Sequence, residues 1–121
     1  SRTYRRLVHL AQDYVKAHLS DKLRIKDLCT VTGVSYKTLE RAFGSVLGVT
    51  PRHYLSLERL AQARRMLLDA DRETVRVSDV AMACGHDEFG RFSRDYHQRF
   101  GEYPSQTLSQ WRSTHSNAQH Q

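Results

Sequence analysis

Residues 25–48 read IKDLCTVTGVSYKTLERAFGSVLG. Ile25, Leu28, Cys29 and Thr32 recur at i, i+3, i+4 and i+7, the spacing of one helical face. Gly33 then supplies a residue that tolerates the left-handed backbone ending such a helix. Ser35 is a good N-cap for a second helix. Leu39, Phe43 and Leu47 are expected to face inward from it, which leaves Lys37, Glu40, Arg41 and Ser45 on the outward side.

Two short helices joined by a tight glycine turn, the second bearing polar and basic side chains outward, form a helix-turn-helix pattern. The second helix of that pattern is shaped to lie in a DNA major groove. Ahead of this stretch, residues 4–19 read as a first helix, with Leu7, Leu10, Ala11, Tyr14, Val15 and Leu19 as its apolar stripe. After it, Thr50 and Pro51 mark a helix start, a threonine cap followed by proline at the first helical position. That helix is expected to run to Leu68. Tyr54, Leu57, Leu60, Ala61, Ala63, Leu67 and Leu68 cover roughly half its circumference, a wide face for a surface helix. It reads as a connector between two half-domains; an ordinary core helix of one globule is the alternative.

Asp69 to Arg76 is charged and aperiodic, hence a loop, and then the pattern returns. Val77, Val80, Ala81 and Cys84 repeat the spacing of Ile25, Leu28, Cys29 and Thr32, with Asp79 matching Asp27 and Gly85 matching Gly33. Past the turn the match continues with one residue inserted. Phe92, Arg94, Tyr96, Phe100, Gly101, Pro104 and Leu108 answer Leu39, Arg41, Phe43, Leu47, Gly48, Pro51 and Leu55. The chain therefore holds an internal repeat of one supersecondary unit. A short last helix is expected from Ser105 to about Arg112, with Leu108 and Trp111 inward. Residues 114–121 are polar and expected to be disordered, with His115 and His120 solvated.

The chain has 121 residues and a formal net charge of +6, a balance that favours polyanions. No apolar run approaches the roughly 18 residues of a membrane span. Cys29 and Cys84 both fall on inward faces, as buried thiols rather than a disulfide or metal site. No nucleophile elbow, phosphate-binding glycine loop or paired catalytic carboxylate is present, and His53, His86 and His97 do not cluster with cysteine or carboxylate at ligand spacing. An enzyme, a cofactor and a bound metal are therefore not expected.

The segment GHDEFGRFSRDYHQRFGEYPS, residues 85–105, resembles the C-terminal signature of the AraC/XylS family of bacterial transcription regulators. Asp27, Leu28, Gly33, Ser35, Leu39, Arg41, Phe43, Gly48, Pro51, Tyr54, Arg59 and Leu60 fit the first half of the same domain, so the resemblance runs from Leu7 to Trp111. It implies an all-α fold of about seven helices within residues 1–113. A first helix-turn-helix subdomain (1–49) and a second (70–113) would be joined by a connector (50–69). It further implies sequence-specific binding of duplex DNA by a cytoplasmic activator or repressor. RNA polymerase is the implied partner, as is an N-terminal effector or dimerisation domain where the full-length chain is longer. Four residues depart from what such a domain leads one to expect. His86 stands where an inward phenylalanine is usual, Gly90 where a longer polar residue is frequent, and Arg24 and Arg76 occupy N-cap slots they suit poorly.

On the first outward face, Arg41 is expected to fork onto guanine O6 and N7. Lys37, Thr38 and Glu40 lie early on the same helix, where groove readers place their contacts. Glu40 serves equally as an acceptor for cytosine N4 or as a solubilising charge. Ser35 is a cap that can also meet a phosphate, and Tyr36 packs on the DNA backbone or covers the turn. Glu88, Phe89, Gly90, Arg91 and Arg94 hold the corresponding places in the second unit, and Arg52, Arg99 and Ser105 are phosphate candidates. Two such heads should sit about one turn of DNA apart, roughly 34 Å. The competing reading is a protein-interaction module whose basic helices dock an acidic partner.

Overall fold

Helix starts in this chain are set by side chains that meet orphan backbone N–H groups. In the computed structural model, which describes residues 1–110, Ser1 accepts the Tyr4 N–H at 3.1 Å and opens α1 (Arg2–His18) two residues before the expected start. Helix α2 (Ile25–Thr32) follows, then α3 (Tyr36–Leu47) and α4 (Pro51–Asp69). The second half supplies α5 (Val77–Ala83), α6 (Phe89–Phe100) and α7, residues 104–110. These seven helices and the absence of strands among the described residues bear out the all-α expectation. Trp111, Arg112 and the tail with His115 and His120 lie outside the described residues.

The chain divides into two compact units at Glu58/Arg59, inside α4. In the first, α1 packs on α2 and α3. Val8, Ala11, Val15, Leu28, Leu39, Ala42 and Phe43 are almost wholly buried, joined by Tyr54 and Leu55 from α4. Each large side chain sealed in this way contributes roughly 1.5–3 kcal/mol of transfer free energy. Two inward expectations are corrected. Leu10 is 43% exposed, and Val8 fills the stripe instead, at i−3 from Ala11 and i−7 from Val15. Leu47 is 38% exposed. An i, i+4, i+8 series drifts about 40° per step around an α-helix. Starting from Leu39 and passing Phe43, the third member has rotated off the buried face.

The second unit buries Leu60, Ala63 and Leu67 of α4, Val80 and Ala81 of α5, and Cys84 just after it. Phe92 and Tyr96 of α6 join them, as do Thr107 and Leu108 of α7. Its aromatic rings form a run: His86 to Phe92 at 4.6 Å, Phe92 to Tyr96 at 5.6 Å and Tyr96 to Phe100 at 4.7 Å, with the Arg64 guanidinium 5.4 Å above Phe100.

The repeat read from sequence has a backbone counterpart. Gly33 and Gly85 follow the first helix of each motif with φ of 72° and 86°. That region is closed to most side chains. Helix α3 starts three residues after Gly33 and α6 four after Gly85, which is the single inserted residue. Both helices are 12 residues long and both end at a left-handed glycine, Gly48 or Gly101. Arg24 and Arg76 cap nothing through their side chains, since a guanidinium has no acceptor. The first turn is held from the other end. Asp27 accepts the Arg24 N–H at 2.8 Å and Asp79 accepts the Arg76 N–H at 3.4 Å.

Candidate nucleic-acid interface

Helix α3 presents Lys37, Glu40, Arg41 and Ser45 to solvent, opposite buried Leu39, Ala42 and Phe43. Lys37 and Arg41 are one turn apart, so both charges project from one side of the helix. Ser35 caps the helix, accepting the Thr38 N–H at 3.3 Å, and its hydroxyl donates to Thr38 Oγ1 at 3.3 Å. Thr38 is half-buried and engaged with that cap. Tyr36 is half-buried, with the Arg52 guanidinium 5.5 Å above its ring. The cation on the ring face covers the turn and holds Arg52 near the mouth of the motif. Arg52 is itself the second residue of α4, just after Pro51, where the Thr50 hydroxyl caps the His53 N–H at 3.1 Å.

Helix α6 presents Gly90, Arg91 and Arg94 outward, opposite buried Phe92 and Tyr96. A Cβ built on Gly90 meets nothing within 4 Å, so the surface beside the two arginines is open backbone. Glu88 is the N-cap residue but makes no side-chain cap bond. Phe89, the first helical residue, is 51% exposed. Its partner in the repeat is Tyr36, and the position matching Arg52 is Ser105, too short to cover a ring. Arg99 is exposed in the last turn of α6, and Ser105 is exposed in the first turn of α7. The candidate residues thus gather into two sets, one per unit: Ser35 to Arg41 with Arg52, and Glu88 to Arg94 with Arg99 and Ser105.

The interior beneath the second set holds residues that the sequence reading passed over. Tyr96 donates its hydroxyl to Thr107 Oγ1 at 2.7 Å, and the Thr107 hydroxyl in turn bonds the Glu102 carboxylate. Gln110 Nε2 donates to both Glu102 oxygens, at 3.0 and 2.9 Å. Thr107 is fully buried, and burial pushes the Tyr96 hydroxyl above its usual pKa. The signal was available: Thr107 answers Tyr54 in the repeat, and a polar residue at a core position invites a partner. His86 packs its ring on Phe92 while its Nε2 is buried without a partner. Burial pushes its pKa below the usual value, opposed first by a hydrogen bond with the Arg59 backbone.

Cys84 is buried with its Sγ 3.5 Å from Met66 Sδ, and burial raises its thiol pKa. Both cysteines are free, and no cluster of three or more His, Cys, Asp or Glu able to hold a metal occurs among the described residues. Nor is any helix among them long and apolar enough to cross a membrane.

A family model described as a helix-turn-helix domain matches residues 28–110, more than half of the chain. The chain belongs to the AraC/XylS family of DNA-binding helix-turn-helix domains. It is 37% identical to a probable thc operon regulatory protein of Rhodococcus erythropolis over 84% of its own length and 31% of that protein's. It thus spans about a third of that curated relative. Among solved structures it is similar to a probable AraC family transcriptional regulator of Rhodopseudomonas palustris. The identity is 32% and the TM-score 0.80, over 88% of this chain and 97% of that one. The DNA-binding domain of AdpA, solved in complex with a target DNA, shares the fold, with 23% identity, a TM-score of 0.71 and coverage of 89% and 94%.

Proposed function

We propose that this AraC/XylS domain binds duplex DNA sequence-specifically as a transcription regulator, with α3 and α6 each reading a major-groove segment. One observation carries the reading. Two helices of equal length, each ended by a left-handed glycine, expose an arginine at the same repeat position, Arg41 and Arg94, over a buried aromatic core. An exposed arginine on a groove-sized helix can fork onto guanine, the commonest specific base contact.

Lys37 and Glu40 flank Arg41 and select neighbouring bases, while Arg91 joins Arg94 on the second head. Glu88 and Phe89 border the second head, and Gly90 lets its backbone approach closely. Ser35 and Thr38 order the start of α3, with Tyr36 holding Arg52 above the turn. Arg52, Arg99 and Ser105 anchor the two heads on phosphates. Their contacts set register and release counterions, so affinity falls steeply with salt.

Function in the bacterial cytoplasm, contact with RNA polymerase, and control by an effector or dimerisation domain belong to the same proposal. They rest on the kind of regulator the relatives are named to be. The test is selection of bound sequences from a random duplex pool, followed by titration of the selected duplex against a scrambled one at fixed salt. A bipartite selected sequence held at least about a thousandfold more tightly than scrambled DNA is expected, within the usual specific-to-non-specific range. Equal affinity for both would overturn the reading and favour docking to an acidic protein.

A further inference from the structure

We infer that Glu102, with Thr107, is a positioning residue for the second reading head; the inference rests on the DNA-reading assignment of α6. Only residues 101–103 separate the end of α6 from the start of α7. Gly101 closes α6 by donating its N–H to the His97 carbonyl at 2.8 Å. Tyr103 opens α7, its N–H held by Gln106 Oε1 at 2.7 Å. Glu102 stands between, and its carboxylate gathers the Thr107 hydroxyl and the Gln110 amide from α7. The Tyr96 hydroxyl ties the same Thr107 back to α6 at 2.7 Å. The two helices are therefore pinned together at a fully buried point by directional bonds.

The pinned positions lie next to the proposed contacts. Arg94 is two residues before Tyr96, and Ser105 two before Thr107. A base-reading arginine and a phosphate anchor work together only if their relative register is fixed, because phosphate contacts set how a helix sits in the groove. At the matching positions in the first unit Phe43 and Tyr54 meet ring to ring, and Val49 packs against the same apolar core. Apolar contact is non-directional and holds volume rather than orientation. Gly90 gives the second head no side chain at its start, so its discrimination rests on how accurately Arg91 and Arg94 are aimed.

The test uses the full chain and the duplex that it selects from a random pool. Dissociation constants are measured for single-base variants of each half-site at fixed salt, with the folded fraction checked by circular dichroism. Glu102→Ala is expected to lower match-to-mismatch discrimination beneath α6 about tenfold, the size of one charged hydrogen bond, and to leave the α3 half-site unchanged. Thr107→Val should do the same, Glu102→Gln should recover part of the loss, and Gln110→Ala, an exposed change that removes one leg of the clasp, should show a smaller loss in the same direction. A purely structural role lowers the melting temperature but not the discrimination ratio of the folded protein; that result overturns the inference, as does an equal loss in both half-sites. Should Glu102→Ala not fold, an unchanged ratio in both Glu102→Gln and Gln110→Ala overturns it equally. Failure to select any duplex sinks the DNA-reading assignment itself, and the inference with it.

Discussion

In the first unit Phe43 meets Tyr54 ring to ring at 5.5 Å; at the matching positions of the second, Tyr96 gives its hydroxyl to Thr107 at 2.7 Å. At the start of each reading helix the exchange is reversed. Ser35 caps α3 with a side-chain oxygen, whereas Glu88 leaves α6 without one. Tyr36 lies under Arg52, whereas Phe89 faces solvent opposite a serine. A helix-turn-helix frame can thus be closed by apolar volume or by a polar clasp, provided the glycine turns and the buried prolines Pro51 and Pro104 are kept. Beneath the two reading helices the cores are accordingly vulnerable in different ways: the first to cavities, the second to lost hydrogen bonds.

That contrast gives the largest expected effect. Tyr54→Thr, which writes the second unit's residue into the first, removes a ring from a packed core and should cost about 3 kcal/mol in urea unfolding. Thr107→Val keeps the volume but strands the Tyr96 hydroxyl and takes one donor from the Glu102 carboxylate, which Gln110 still holds, for about 1–3 kcal/mol. If Thr107→Val proves neutral, the polar clasp does not hold the second unit and the contrast collapses.

The reading faces differ as well. Arg41 stands among Lys37, Glu40 and Ser45, while Arg91 and Arg94 have open backbone at Gly90 and the exposed Asp95 and Gln98 beside them. Each forked base contact is worth roughly 1–3 kcal/mol of discrimination. Arg41→Ala should therefore cost more specificity than Arg94→Ala, with the half-site beneath α3 the better defined, when single-base variants are titrated at one salt concentration. The exposed Phe89 offers the competing outcome, selectivity through thymine methyl groups. Replacing thymine by deoxyuracil in the α6 half-site removes only those methyls. A loss of affinity there that disappears in Phe89→Ala would reverse the ranking of the two heads.

A third difference is smaller. Ser35→Ala removes a cap that satisfies the Thr38 N–H. It should destabilise the first unit by about 1 kcal/mol. Glu88→Ala removes no cap bond. As an ordinary surface change it should stay within about 0.5 kcal/mol. Equal losses in thermal unfolding would show that the charge of Glu88 acts on the α6 dipole as strongly as a hydrogen bond does.

How much of this was legible follows from what a periodic pattern encodes. Glycine spacing, the proline starts and the aromatic positions state the backbone plan outright, so the repeat, its single inserted residue and the outward arginines could be read in advance. Side-chain partnerships could not, because they depend on which residues converge from different helices. The Glu102 clasp joins positions 96, 102, 107 and 110, a set that no single helical period relates. Leu10 and Leu47 were misread for a simpler reason: an apolar residue one step round from the buried face looks the same in sequence as one within it.

His86 gives a small effect, the one with a definite sign in pH. It takes the place of an inward phenylalanine and rests on Phe92, with Nε2 buried and unpartnered. Burial lowers its pKa in the folded chain; the Arg59 charge adds to that, while the hydrogen bond with the Arg59 backbone and the carboxylates of Asp95 and Asp87 oppose it. The unfolded chain, with a histidine pKa near 6.5, then binds more protons than the folded one just below that value. Stability must rise with pH across that window, so it is fully present above the unfolded pKa and is lost as pH falls towards the folded one. The melting temperature of the second unit should therefore drop between pH 7.5 and 5.5. His86→Phe should flatten that drop, because it removes both the titrating group and the unpartnered nitrogen. At pH 7.5 the gain from removing the buried nitrogen is set against the lost bond to Arg59, so His86→Phe should change stability by less than about 1 kcal/mol there. An unaltered pH slope in His86→Phe would assign the acid sensitivity to other groups and leave the second unit's core no more exposed to pH than the first.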